Sequence, residues 1–193
     1  ATRFNGYTKI YGPPRFIITE VGSLDTTNAY LKKTFDLPYE SFHTLVLAGE
    51  PGLNLDLFLE EDALKESVQN NRVSVKFFHG STNAPQFSIS EVSVPAGNLA
   101  SGLNFSDSKG YLNFNAMNYI FQFNATNGTI AEFTVPFNTF ADSALFIVAT
   151  GILTPAGTSA PNYFKLLVVS VSGNVTEIDP NQSLISIAEE SSL

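Results

Sequence analysis

Apolar and polar residues alternate along much of the chain. Leu53, Leu55, Leu57 and Leu59 are separated by Asn54, Asp56 and Phe58, and Val73, Val75 and Phe77 by Ser74, Lys76 and Phe78. A period of two puts one set of side chains on one face, so each segment predicts a strand with a buried face. Residues 144–149, Ala-Leu-Phe-Ile-Val-Ala, are apolar without interruption, which predicts a central strand covered on both faces. Residues 163–171 predict a further strand. Between these runs stand Gly12-Pro13-Pro14, Glu50-Pro51-Gly52, Asn83-Ala84-Pro85, Pro95-Ala96-Gly97, Asn127-Gly128 and Pro155-Ala156-Gly157. Asn127-Gly128 reads as a two-residue hairpin turn, because both residues tolerate positive φ. Many short strands with regular turns predict an all-β chain built as an Ig-like or Greek-key sandwich. Residues 60–70 differ: they hold helix formers without Gly or Pro, and Leu64 and Val68 lie four apart on one helical face. They predict a helical or irregular connector that ends at Asn70-Asn71.

An internal match organises the chain. Phe35-Asp36-Leu37-Pro38-Tyr39-Glu40-Ser41-Phe42 aligns with Phe133-Thr134-Val135-Pro136-Phe137-Asn138-Thr139-Phe140, with three identities and three conservative pairs in eight residues. Gly6-Tyr7 precedes the first copy and Gly110-Tyr111 the second. Each copy is followed by an apolar strand closed by glycine, at Gly49 and Gly151, and then by a turn and a long alternating strand. Four features in one order predict two related β units. Residues 72–109 precede Gly110-Tyr111, but only residues 1–5 precede Gly6-Tyr7. The expectation is therefore two tandem antiparallel β-sandwich units, the first lacking its opening strands. Residues 1–66 form that partial unit, 67–71 a connector, 72–180 the complete unit and 181–193 a tail.

Composition narrows the function classes. The 193 residues carry 10 Lys and Arg against 18 Asp and Glu, a net charge of −8. With a pI near 4.6, the chain lacks the basic footprint of a nucleic-acid binder. No apolar run reaches the ~18–20 residues of a helical membrane span. Cysteine is absent, which excludes disulfide scaffolds, thiol catalysis and Cys-bound zinc. The chain opens Ala-Thr-Arg-Phe without the apolar stretch of a signal peptide, as a mature secreted chain or a trimmed one does. Abundant Asn, Ser and Thr without Cys suits a bacterial exterior.

Candidate chemistry is sparse. His43 and His79 are the two imidazoles. His79 precedes the Ser81-Thr82-Asn83 turn and reads as a hydrogen-bonding partner of that turn. No Gly-x-Ser-x-Gly elbow is present, and Glu60-Glu61-Asp62 reads as a solvated face. Asn54, Asp56 and Glu60 lack the spacing of a calcium loop, and no phosphate-binding loop is found. The expectation is a protein without catalytic residues, cofactor or metal. Asn-x-Ser/Thr occurs at Asn104, Asn124, Asn127, Asn174 and Asn181; these are polar turns, or glycosylation sites if the source attaches N-glycans. Aromatic residues crowd the second unit from Tyr111 to Phe140. Phe dominates and Trp is absent, so they read as core rather than as a sugar-binding platform.

Arg72-Val73-Ser74-Val75-Lys76-Phe77-Phe78-His79-Gly80-Ser81-Thr82-Asn83-Ala84-Pro85 resembles the opening of the DUF4397 family: a Val-rich strand, a His, a small residue and a turn ending in Ala-Pro. Gly110-Tyr111, residues 148–151 and Gly173-Asn174-Val175 fit the same pattern. The resemblance covers about residues 72–178, with a partial copy over 6–66. It departs at Gln86-Phe87-Ser88, where the family usually has Asp-Val-Tyr. It implies a secreted or cell-envelope protein, often with tandem β-sandwiches and no established catalytic residues.

Two function classes follow besides an enzyme. One is an extracellular structural protein, such as a fibre subunit joined by β-strand addition to copies of itself. The other is a secreted module that binds carbohydrate or another surface protein. An incomplete first unit favours the former, since its face and edge need a cover. The second unit, the tail or a neighbouring molecule could supply it. In the tail, Leu184, Ile185 and Ile187 form a short β-prone segment before Glu189-Glu190. The plainer alternative is that Ala1 is a cleavage boundary and the full protein has both units complete.

Overall fold

The chain is nearly all β in the computed structural model, which describes residues 9–62, 68–93, 97–153, 162–171 and 173–181. Its strands are β1 (Arg15–Ile18), β2 (Leu31–Thr34), β3 (His43–Ala48), β4 (Asp56–Glu61), β5 (Arg72–His79), β6 (Phe87–Glu91), β7 (Asn98–Leu103), β8 (Ser108–Asn115), β9 (Asn118–Ala125), β10 (Gly128–Pro136), β11 (Ser143–Thr150), β12 (Lys165–Ser170) and β13 (Val175–Ile178). The helical element among the described residues is a single 3-10 turn, Phe137–Phe140. No helix among them is long and apolar enough to cross a membrane. The chain divides into two compact units, residues 5–66 and a larger one made mainly of residues 67–193.

The larger unit is a sandwich of two sheets, ordered β10-β9-β6-β7 and β13-β12-β11-β5-β8. Its pairings are antiparallel except that of β5 with β11, which run parallel from Val73 opposite Ser143 to His79 opposite Ala149. Inward residues of both sheets form one core: Val73, Val75, Phe77 and Ile147 from one, Phe87, Phe121 and Phe133 from the other. Phe77 meets Phe121 across the gap, edge to face, with centroids 5.5 Å apart. Six phenylalanines of this core are at most 1% exposed, so the aromatic crowding is core, as the composition predicts. The apolar run 144–149 is buried at every position, because β11 lies between β5 and β12 and both its faces are covered.

The smaller unit consists of two hairpins. β1 pairs with β2 and β3 with β4, each as a separate two-stranded sheet. Lys33 on β2 joins them. Its Nζ donates to both carboxylate oxygens of Asp56 at 2.8 and 2.9 Å and to the Leu57 carbonyl at 2.7 Å. The Phe35 and Phe58 rings flank it at 5.4 and 5.8 Å. Partial desolvation works to raise the Asp56 carboxyl; hydrogen bonds from Lys33 and the Leu57 amide outweigh it and hold it below the usual carboxylate range. With about a third of each side chain exposed, the pair orients the hairpins more than it stabilises them.

Three local expectations are corrected. The strand expected from Leu53 begins at Asp56. The amides of Leu53, Asn54 and Leu55 all donate to the Glu50 carbonyl, which curls this stretch into a turn and leaves Leu53 76% exposed. Glu60 and Glu61 belong to β4, opposite Thr44 and His43; pairing across the hairpin overrides their helix propensity. Most of the expected connector, residues 63–67, lies outside the described residues. In the β9–β10 hairpin Ala125 pairs with Gly128, so the two turn residues are Thr126 and Asn127. Gly128 flanks the turn with φ 124°.

Candidate functional site

The matched octapeptides share one local hydrogen bond, although Phe137–Phe140 is a 3-10 turn and residues 39–42 are not. Ser41 Oγ donates to the Pro38 carbonyl at 2.6 Å, and Thr139 Oγ1 to the Pro136 carbonyl at 2.8 Å. The preceding strands coincide in register. Phe35 bonds Pro14 as Phe133 pairs with Phe121, so Phe16 occupies the place of Phe123. Each phenylalanine meets its partner edge to face, Phe16 with Phe35 at 5.8 Å and Phe123 with Phe133 at 5.3 Å. The closing glycines also correspond. Gly49 and Gly151 have φ of 109° and 90°, and a Cβ on either would strike a carbonyl oxygen of the returning chain, at Asn54 and Tyr163. Ala48 pairs with Asp56 as Thr150 pairs with Lys165. β1 to β4 thus correspond to β9 to β12.

This correspondence defines the candidate site. Phe35, Leu37, Leu45, Leu57 and Leu59 stand where the larger unit has Phe133, Val135, Ile147, Leu166 and Val168. Those five are completely buried. In the smaller unit Leu57 alone among the described apolar residues is buried, and Leu47, which matches buried Ala149, is 48% exposed. Tyr39, which matches fully buried Phe137, is 92% exposed. The apolar face of a sandwich sheet is present, but its cover is not among the described residues of this unit. The edge differs as well. β11 is hydrogen-bonded on both sides, to β5 and β12, whereas among the described residues β3 pairs with β4 alone. The candidate site is therefore the side of β3 that no described strand pairs with, on a sheet that carries Leu45, Leu57 and Leu59. It offers backbone donors and acceptors and apolar area, and no acid–base pair.

The other sequence candidates lie apart from it. His79 ends β5 and is fully buried. Its ring stacks on Phe87 at 4.1 Å, and Nε2 lies 3.3 Å from the Pro85 carbonyl. Nδ1 of His79, like Nδ1 of His43, is buried without a hydrogen-bond partner. Burial pushes the His79 imidazole down, while the Pro85 carbonyl and Asp107 partly oppose this. The unfolded chain therefore takes up this proton before the folded one. Stability from this group is full above about pH 6.5 and falls as pH drops through the lowered folded value. Denaturant midpoints at pH 7.5 and 5 should show this slope, and His79→Gln should reduce it; an unchanged slope would refute the assignment.

Asn127 is exposed in its turn, and Asn174 lies exposed just before β13. Asn104 is held between Asp107 and Gln86, and Asn124 accepts from Thr129 Oγ1 at 2.7 Å. Asn181 docks on β10: its amide donates to the Glu132 carbonyl, its Oδ1 accepts from the Thr134 amide, and its Nδ2 donates to Glu132 Oε1. Leu184, Ile185 and Ile187 lie outside the described residues. No group of three His, Asp or Glu able to hold a metal occurs among the described residues. The sequence match of Gly49 with Gly151 places Leu45 on Ile147, but it singles out neither the β3 edge nor Lys33, because strand neighbours are not written in either segment.

No family model and no curated protein matches the chain.

Proposed function

We propose that this protein is a non-enzymatic structural component of the cell exterior that assembles with other copies by β-strand addition. The observation that carries the reading is the β3 edge, with sandwich-type apolar residues beside it that are only partly covered in the smaller unit. In the larger unit the matching strand β11 has β5 along that edge, and the matching residues are completely buried. A strand added to an open edge gains main-chain hydrogen bonds. Two or three buried aliphatic side chains would add about 1.5–3 kcal/mol each. Strand addition needs neither disulfides nor metals, which agrees with a chain lacking cysteine. The DUF4397-like motif of residues 72–85 supports the extracellular location and two related units, the first a partial copy.

Electron microscopy of native material, with light scattering of the purified chain, tests this. Fibres or concentration-dependent polymers are expected. A monodisperse monomer at high concentration that binds a glycan or another surface protein would replace assembly with the binding-module reading.

A further inference from the structure

The hairpins β1–β2 and β9–β10 correspond, but their connections do not. β9 and β10 are joined by the two exposed residues Thr126 and Asn127. β1 ends at Ile18 and β2 begins at Leu31, so residues 19–30 form a twelve-residue loop, where hairpin loops usually have about 2–5 residues. The loop is ordered by its own hydrogen bonds. The Ser23 amide donates to the Glu20 carbonyl at 3.0 Å, closing a turn whose third residue, Gly22, has φ 85°. Thr19 Oγ1 donates to the Ser23 carbonyl at 3.2 Å. Asp25 accepts from the Thr27 amide and from Asn28 Nδ2 at 2.8 and 2.9 Å, and Lys32 Nζ donates to the Thr27 carbonyl at 3.2 Å. This order holds Val21 and Leu24 out in solvent, at 102% and 97% exposure. Two aliphatic side chains so placed bury nothing in their own unit and meet a partner at little ordering cost.

The same unit carries a surface that they fit. Leu45 stands opposite Leu59 and Leu47 opposite Leu57, so the four leucines share one face of the β3–β4 sheet. Their counterparts in the larger unit, Ile147, Val168, Ala149 and Leu166, are all buried, whereas Leu47 is half exposed. Val21 and Leu24 belong to the same compact unit as this face yet stay in solvent, so they do not cover it there. On the strength of the proposed self-assembly, we infer that they cover it in a second copy: the β1–β2 loop of one molecule docks through Val21 and Leu24 on the leucine face of β3–β4 in the next.

This contact uses side chains and leaves the β3 main chain to strand addition. It also suits the charge. Copies that each carry −8 repel one another, so a contact between them draws on apolar area rather than on net charge. Loop and face are different patches, so each copy gives one and receives the other, and the contact propagates along a filament.

The absence of native cysteine makes the test clean. Full-length Leu24→Cys is mixed with full-length Leu47→Cys and oxidised mildly. In the control, Asn127→Cys on the tight turn of the matching hairpin replaces Leu24→Cys. The first pair should give the disulfide-linked heterodimer in at least about tenfold excess over the control pair. The double variant Val21→Ser/Leu24→Ser should keep the unfolding midpoint of the unaltered chain and raise the concentration at which light scattering detects polymers by at least about tenfold. Equal linkage of Leu24→Cys and Asn127→Cys while polymers still form would overturn the loop contact and leave the assembly reading standing. Linkage confined to single chains, in a variant carrying both Leu24→Cys and Leu47→Cys, would overturn the second copy as acceptor. A Val21→Ser/Leu24→Ser chain that polymerises like the unaltered one but no longer sediments with phosphatidylcholine vesicles would assign the loop to a lipid surface instead. Absence of polymers from the unaltered chain would remove the assembly reading, and this contact with it.

Discussion

Phe137→Ala is expected to destabilise the larger unit by about 3–5 kcal/mol, whereas Tyr39→Ala at the matching position should change the isolated chain by no more than about 0.5 kcal/mol. Phe137 is completely buried. Its ring packs against Phe114, Tyr119 and Phe121 at 5.3, 5.5 and 5.7 Å. Truncation removes a full aromatic transfer term and leaves a cavity that rigid strands fill poorly. Tyr39 lies almost wholly in solvent, so truncation there takes nothing from the folded state of the chain by itself. Denaturant unfolding of both variants measures the difference, with the two units followed as separate transitions. A large loss at Tyr39 in dilute monomer would mean that its face is already covered.

Gly151→Ala should cost at least about 2–4 kcal/mol and Gly49→Ala a comparable share of the smaller unit's stability. Two effects combine. Positive φ strains any residue with a Cβ, and here the new Cβ would sit 2.1 Å from the Tyr163 carbonyl oxygen, or 2.3 Å from that of Asn54. Both obstacles are backbone, so relief requires opening the turn. At Gly151 this disrupts the bond from the Ile152 amide to the Asn162 carbonyl. Gly110→Ala is the control: a Cβ there meets nothing within 4 Å, and its effect should stay within about 0.5 kcal/mol. Equal midpoints for Gly151→Ala and Gly110→Ala would contradict the close approach.

Much of this architecture is written locally. Period-two alternation at Val73, Val75 and Phe77 and the unbroken run at 144–149 identify strands because a strand's two faces have different surroundings, or the same. The abundance of Phe over Trp marks a core, because a ring without a polar atom can be buried without a partner. The paired octapeptides are legible as sequence, and their serine and threonine make the same bond because it spans only three residues. Local pattern fails where a longer-range contact competes. Glu60 and Glu61 favour helix, yet they join β4 because His43 and Thr44 stand opposite. Leu53 continues an alternating run, yet the Glu50 carbonyl gathers three amides and ends it.

What tertiary structure alone decided is which strands become neighbours. Nothing in the residues of β5 and β11 states that they pair in parallel; that follows from how two sheets close over one core. Nor does Leu45 by itself distinguish β3 from β11, since Leu45 and Ile147 are equally apolar. The difference between them is a neighbour: β5 lies along β11, and among the described residues β3 has only β4. Burial is a property of the assembled sheet rather than of the residue, so the same kind of sequence is core in one unit and open edge in the other.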